Sequence, residues 1–306
     1  MHFTALTQTI AGFVAIVCVG ALLRGFKVVE RSDARVLNAV IIYVGLPAFI
    51  FTAVNGSHAL TMKSLRVVAV SWVVFAVIAG VALLVSRLLR LERKRAGGFF
   101  LAASLGNTGY IGYPLTSALL GVAAVPVAVL SDVFGTVLQL VLVGFPVARH
   151  FGRRGAKLTV WRLVTELATF PALIAAVVAL AVPAAAVPVP VSEWLAAIAK
   201  MVSPLIMLSV GISLRPRAIA HGAPALLALA AIRLLVAPAL VAWLGPVVLD
   251  GNALRVAVLE AGMPSMMLSL AVGERFGLDD DFIAAAIFVT TVAATLSVPL
   301  WQSLVH

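Results

Sequence analysis

Apolar residues run along this chain in stretches of about twenty, divided by short polar or basic pieces. Ten such stretches cover residues 4–23, 36–54, 65–89, 97–120, 123–147, 161–182, 192–214, 223–249, 252–276 and 281–304. A helix of about 20 residues crosses a hydrocarbon layer about 30 Å thick, so the pattern predicts an all-α polytopic membrane protein with ten transmembrane helices. Two stretches are interrupted. Residues 97–121 contain Gly106-Asn107-Thr108-Gly109-Tyr110-Ile111-Gly112-Tyr113-Pro114, and residues 252–277 contain Glu260-Ala261-Gly262-Met263-Pro264-Ser265. Lipid cannot hydrogen-bond to loosened backbone, so such breaks survive only when buried in protein or lining a water-filled cavity, where a solute could bind.

The two breaks are related by an offset of about 157 residues, which also carries Leu46-Pro47-Ala48 onto Ser203-Pro204-Leu205 and Asn107 onto Ser265. The chain therefore reads as two five-helix repeats, residues 1–149 and 150–306, joined through the basic connection 148–160. Five is odd, so the second repeat enters the membrane from the opposite side, and the expected architecture is a pair of inverted repeats with broken, crossing helices four and nine.

Composition agrees with the membrane reading: 63% of residues are hydrophobic and 11% charged, against roughly 45–50% and 25% in soluble domains. The net charge of +10 could suggest nucleic acid, but its placement argues otherwise. Arg24, Lys27, Arg31 and Arg35 follow the first stretch, Arg87, Arg90, Arg93, Lys94 and Arg95 the third, and Arg149, Arg153, Arg154, Lys157 and Arg162 the fifth. Arg215, Arg217 and Arg275 extend the same side, and only Lys63, Arg66 and Arg255 fall on the other. This positive-inside pattern puts the basic loops in the cytoplasm and both termini outside, with no single basic face for nucleic acid. Residues 4–23 lack a basic leader and carry their charges afterwards, so they read as a retained span instead of a signal peptide. Trp161, Trp194, Trp243 and Trp301 fall near stretch ends, as interfacial anchors do. Little lysine beside abundant Ala, Val and Arg fits a bacterial inner membrane.

The motif residues carry a resemblance. Asn107-Thr108-Gly109-Tyr110-Ile111-Gly112-Tyr113-Pro114-Leu115 resembles the Asn-Thr-Gly-x-x-Gly-x-Pro-Leu stretch of the auxin efflux carrier family, which includes plant PIN proteins and bacterial carriers often described as malonate transporters. Ala261-Gly262-Met263-Pro264-Ser265 resembles the second signature of that family, and Tyr43-Val44-Gly45-Leu46-Pro47-Ala48 with Phe51 looks like its second span. The resemblance implies a fold similar to bile-acid/sodium symporters, with a scaffold from helices 1, 2, 6 and 7 and a moving part from helices 3–5 and 8–10. It also implies secondary transport of a small organic acid, auxin-like or a dicarboxylate such as malonate, by an elevator-type motion. Two departures stand out: Gly106 replaces the proline usual before the Asn in plant members, and their long cytoplasmic loop is missing.

A break inside a membrane helix makes new helix ends whose unpaired N–H and C=O groups bring partial charges into low dielectric. The second half-helices could hold a carboxylate at their N-terminal ends. Pro114 suits the first turn of one, Ser265 suits an N-cap of the other, and Gly106, Gly109, Gly112 and Gly262 permit close backbone approaches. Candidate substrate contacts are therefore Asn107, Thr108, Gly109, Pro114, Pro264 and Ser265; the alternative is that these groups only satisfy broken backbone. Ionisable groups within spans cost several kcal/mol if isolated. Glu260, one turn before Pro264, and Asp132 are candidate coupling groups for a proton or sodium ion. Arg233 is a candidate countercharge for the substrate or a structural partner of Glu260. The first break, with its neutral amide and hydroxyl groups, is the better candidate for substrate, and the second, with Glu260, for coupling.

Glu166, Lys200 and Gln139 read as structural, and Pro47 and Pro204 as kinks in scaffold helices. Cys18 is the single cysteine, which excludes an intramolecular disulfide and a cysteine-built metal site. His2, His58, His150, His221 and His306 fall in loops or termini, so neither a metal cluster nor a proton relay is expected. Asp279-Asp280-Asp281 lacks the second acidic cluster that prenyl-diphosphate chemistry needs, and no HExxH motif is present, so an enzyme is not expected. Rival readings are a sodium/proton antiporter or channel of similar broken-helix fold and a non-transporting sensor. No cofactor is expected beyond a coupling H+ or Na+. The expected partners are a small organic anion and the lipid bilayer, with a homodimer as a candidate assembly.

Overall fold

The computed structural model describes residues 2–30, 32–57, 61–152, 160–213 and 222–305. Arg31, His58, Arg153, Arg154, Lys157, Arg215, Arg217, His221 and His306 lie outside the described residues, as do the side chains of His2, Arg162 and Glu166. Within them the chain is helical, and the one departure toward strand is an isolated bridge between two residues. Among the described residues six helices are long and apolar enough to cross a membrane: α2 (Asp33–Val54), α3 (Met62–Leu88), α6 (Val122–Phe151), α9 (Val189–Ser213), α10 (Ala223–Val247) and α13 (Asp280–Leu304). The first helix, α1 (His2–Gly25), precedes them. The interrupted stretches form the helix pairs α4 (Arg93–Ser104) with α5 (Tyr113–Leu120), and α11 (Gly251–Ala261) with α12 (Leu268–Phe276). The stretch 161–182, expected as one span, divides into α7 (Val160–Ala168) and α8 (Pro171–Ala181). Pro171 explains the division: it has no N–H to donate, and it drives Phe170 to an extended ψ of 115°.

Prolines mark the long helices in a second way. Wide, π-type turns at Ile41–Gly45, Thr108–Gly112, Leu140–Gly144 and Ile232–Val236 each end two residues before a proline, namely Pro47, Pro114, Pro146 and Pro238. A proline ring collides with the carbonyl four residues back and leaves it without a donor. Adding a residue to the preceding turn moves that carbonyl aside while the helix continues. Pro204, by contrast, lies within α9 with no such turn assigned.

Packing falls into two groups. Helices α1, α2, α8 and α9 lie against one another, and α3, α4, α6, α10, α11, α12 and α13 form a second set. The second set buries an apolar core around Phe75, Phe99, Phe100, Leu229, Phe276 and Ile283. In the other core, Ile41, Ile50, Ala176 and Ile206 meet Tyr113, Val129 and Leu259, so this core spans the boundary between the sets. Glycines set the approach of α1 to α9. A Cβ on Gly20 would fall on the carbonyl of Leu208, and one on Gly211 on the carbonyl of Val17. Small residues let membrane helices pack backbone to backbone, where dispersion replaces the hydrophobic effect as the driving force. Arg24 adds a donor to the Ile212 carbonyl at 2.7 Å.

The acidic run Asp279-Asp280-Asp281 begins α13. Asp279 accepts from the Phe282 N–H at 3.0 Å and pairs with Arg95 at 2.8 Å, so it serves as a helix cap and ion-pair partner.

Replacing Gly211 with Ala should lower stability by about 1–3 kcal/mol through overpacking. Gly80→Ala, in the interior of α3 where a Cβ meets nothing within 4 Å, should not lower it and should raise it by up to about 1 kcal/mol. Thermal melts of the two purified variants check the difference.

Candidate functional site

The two breaks cross and pair. Gly106 and Ser265 form an antiparallel bridge. On either side of it the Asn107 N–H donates to the Pro264 carbonyl at 2.7 Å, and the Met266 N–H to the Leu105 carbonyl at 3.0 Å. Each loosened segment supplies the hydrogen bonds that lipid would withhold from the other. Pro114 sits in the first turn of α5, directly after the wide turn at Thr108–Gly112.

Ser265 does not cap α12, contrary to the sequence expectation. The N-cap position of that helix is Met267, without a side-chain cap bond. Instead the Ser265 hydroxyl donates to the Ala102 carbonyl at 2.7 Å, and its N–H donates to Thr290 Oγ1 at 3.0 Å. The crossing comes first because an unpaired hydroxyl buried there would cost more than an uncapped helix start. Asn107 is equally buried, yet its Nδ2 has no partner among the described residues.

Arg233, carried on α10 in a wide turn, reaches the places where the first half-helices stop. Its Nε donates to the Met263 carbonyl at 2.9 Å, Nη1 to the Ser104 carbonyl at 3.2 Å, and Nη2 to the Ala261 carbonyl. Ser104 ends α4 and Ala261 ends α11. Both C-termini carry partial negative charge, and one guanidinium answers both. Gly106 leaves it space, since a Cβ there would lie 3.2 Å from Nη2. The expected pairing of Arg233 with Glu260 is not among the ion pairs of the described residues; the guanidinium is turned to backbone.

Both buried carboxyl groups lie against the second half of the first break. Thr108 Oγ1 donates to Asp132 Oδ1, and the Tyr113 hydroxyl to Asp132 Oδ2 at 2.6 Å. Thr116 Oγ1 donates to Glu260 Oε1 at 3.0 Å, while Glu260 Oε2 has no partner among the described residues. The motif glycines form the seats. A Cβ on Gly109 would stand 3.1 Å from Asp132 Oδ2, and one on Gly112 would overlap the Glu260 carboxyl. The expected division between a neutral first break and an acidic second one therefore does not hold in space, because Glu260 crosses to the first break. Tyr113 and Thr116 escaped the sequence reading. The spacing of Gly112 and Thr116, one turn apart on one face, is the signal that could have found the Glu260 seat.

A cavity of about 50 Å³ adjoins the crossing, lined by Ser71, Gly106, Thr108, Gln139, Arg233 and Glu260. Sites for organic ligands usually measure about 300–1,000 Å³, whereas about 10–15 Å³ admits a water. This space suits water or an ion. A cavity of about 660 Å³ lies between α2 and α9 on one side and α12 and α13 on the other, with Arg35, Asn38, Tyr43, Tyr110, Met267 and Glu274 in its walls. Tyr110 and Met267 bring it to the flanks of the two breaks.

Crossed broken helices within an apolar helical bundle, polar groups at the crossing and a wide cavity beside it define a membrane transporter. The chain belongs to the membrane transport protein family, whose model matches residues 5–302, in keeping with the auxin-efflux-carrier resemblance of its motifs. It is 29% identical over 305 residues to an uncharacterized transporter of Methanothermobacter thermautotrophicus, covering 99% of each chain. It is 28% identical to one of Methanocaldococcus jannaschii, covering 94% of each. A Rhizobium meliloti protein named "putative malonate transporter" is 26% identical over 276 residues, 86% of this chain and 84% of the relative.

Gly112→Ala should destabilise the protein by about 1–3 kcal/mol, because the new methyl group displaces a buried carboxyl. Adding Glu260→Ala should recover part of that loss. A double-mutant cycle of thermal melts reads the coupling, and strictly additive losses would contradict the seat.

Proposed function

We propose that the chain is a secondary active transporter of a small organic acid anion, working by an elevator-type alternation of access. The observation that carries this reading is the buried Asn107 amide at the crossing of the two breaks, whose Nδ2 has no partner among the described residues. A buried donor without an acceptor costs about 1–3 kcal/mol, and a carboxylate beside it would remove that cost. Thr108, Gly109, Pro114, Pro264 and Ser265 shape the backbone around it. Malonate, the acid in the name of the Rhizobium relative, and auxin-like aromatic acids are the first substrates to test.

In this reading α7 and α8 together form one span, and each broken pair forms another, giving ten spans in two inverted repeats. Helices α1, α2, α7, α8 and α9 serve as the scaffold, and α3–α6 with α10–α13 move. The packing of α1, α2, α8 and α9 on one another supports this division. The wide cavity between α2/α9 and α12/α13 then lies along the sliding boundary. The proposed setting is a bacterial inner membrane, with the Arg35 end of α2 toward the cytoplasm. Glu260 and Asp132 are the coupling groups, for a proton or a sodium ion. A second reading, exchange of ions alone, gains from the two carboxyl groups gathered on one half-helix and from the small size of the crossing cavity.

Purified protein in liposomes, given a panel of dicarboxylates and aromatic acids with imposed proton or sodium gradients, should accumulate at least one acid. Asn107→Ala should reduce that uptake on the order of tenfold or more while leaving the melting temperature close to wild type. Flux of protons or sodium with none of any acid would favour the second reading. Glu260→Gln should uncouple acid uptake from the imposed gradient; full gradient dependence in that variant would remove Glu260 from the coupling role.

A further inference from the structure

In carriers built on broken helices, half-helix C-terminal ends and unwound carbonyls form the usual seat of a coupling Na+. Here the same kind of seat, made of the Ser104, Ala261 and Met263 carbonyls from both breaks, receives the three arms of the Arg233 guanidinium. Two independent features fit the group to the seat. Gly106 withholds a side chain where a Cβ would come 3.2 Å from Nη2. Arg233 itself is 5% exposed and ion-paired with neither Asp132 nor Glu260 among the described residues, so its charge is spent on the carbonyls.

We infer that Arg233 is a built-in cation, a fixed positive charge that takes the place of a bound sodium ion at these carbonyls and makes this seat independent of Na+. The guanidinium is covalently tethered, so it cannot be exchanged across the membrane and cannot itself couple transport. Coupling by Na+ at these carbonyls is thereby closed, and the exchangeable groups at the crossing are the carboxyls of Glu260 and Asp132. Arg233 is a positioning residue: it holds both breaks in register through their backbone and touches no substrate. The inference rests on the transporter reading only for its consequence in coupling, since the seat and its occupant stand on geometry.

The test reads melting of the purified full-length protein and uses no transport substrate, so its outcome is separate from that of the proposed function. With Glu260→Gln and Asp132→Asn removing the carboxyls proposed for coupling, the protein should melt at the same temperature in sodium, potassium and choline chloride of equal ionic strength. Arg233→Ala should melt roughly 10 °C lower in choline, because the carbonyl ends lose this charge partner. It should recover several degrees in millimolar guanidinium or in sodium, but not in urea, the neutral analogue. Arg233→Lys, which keeps the charge, should retain most of the midpoint and carries the test if Arg233→Ala does not fold. A saturable rise with sodium in the Glu260→Gln/Asp132→Asn protein, with or without Arg233→Lys, would overturn the inference. Equal loss in the Lys and Ala variants would overturn it, as would an Ala variant that no cation restores or one as stable as wild type.

Discussion

Two helices that stop in the middle of an apolar bundle leave carbonyl and amide groups that neither lipid nor hydrocarbon side chains can satisfy, and the molecule is organised around meeting that demand. Leu105 to Asn107 pairs with Pro264 to Met266 strand to strand, and the Arg233 guanidinium gathers the carbonyls at the ends of α4 and α11. Without both devices the crossing would carry several unpaired groups at low dielectric, each costing on the order of kilocalories. The surrounding core follows from this: Ala102, Thr290 and Ser104 are buried because the crossing uses their oxygens.

Around this frame the acidic groups are placed with few alternatives. Asp132 is held from two directions by Thr108 and Tyr113, and Tyr113 stacks on Phe49 of α2 with ring centroids 5.6 Å apart. The same tyrosine therefore touches a buried acid on one side and the α2 surface on the other. Glu260 has one oxygen engaged by Thr116 and one, directly over Gly112, without a partner among the described residues. A fully bonded carboxyl beside a half-bonded one gives the crossing one fixed acid and one with spare capacity for a proton, water or ion.

The helices were legible because membrane spans announce themselves by length and apolarity, and the breaks because glycine and proline interrupt them. Pro171 was passed over within stretch 161–182, since apolarity continues unbroken across it while its missing N–H ends the helix. The site was only partly legible. Asn107, Thr108, Asp132 and Glu260 stood out as polar groups in apolar runs, but partners contributed by distant parts of the chain leave no local trace. Thr116 looks like an ordinary helix residue until Glu260, 144 positions away, is set against it. Arg233 stood out as a charge within a span, but its contacts with the carbonyl ends of two distant helices could not be seen in its local sequence. Ser265 was read by local capping preference, which the crossing overrides.

The proposed transport requires that the crossing be exposed alternately to the two sides of the membrane. In a Cys18→Ser background, a single cysteine replacing Met267, in the wall of the wide cavity, can be labelled with a membrane-impermeant maleimide from either face of oriented vesicles. The account predicts labelling from the face where Arg35 lies, and additional labelling from the opposite face that depends on an imposed gradient or a transported acid. Labelling from one face alone, unchanged by any gradient or any acid of the panel, would contradict it.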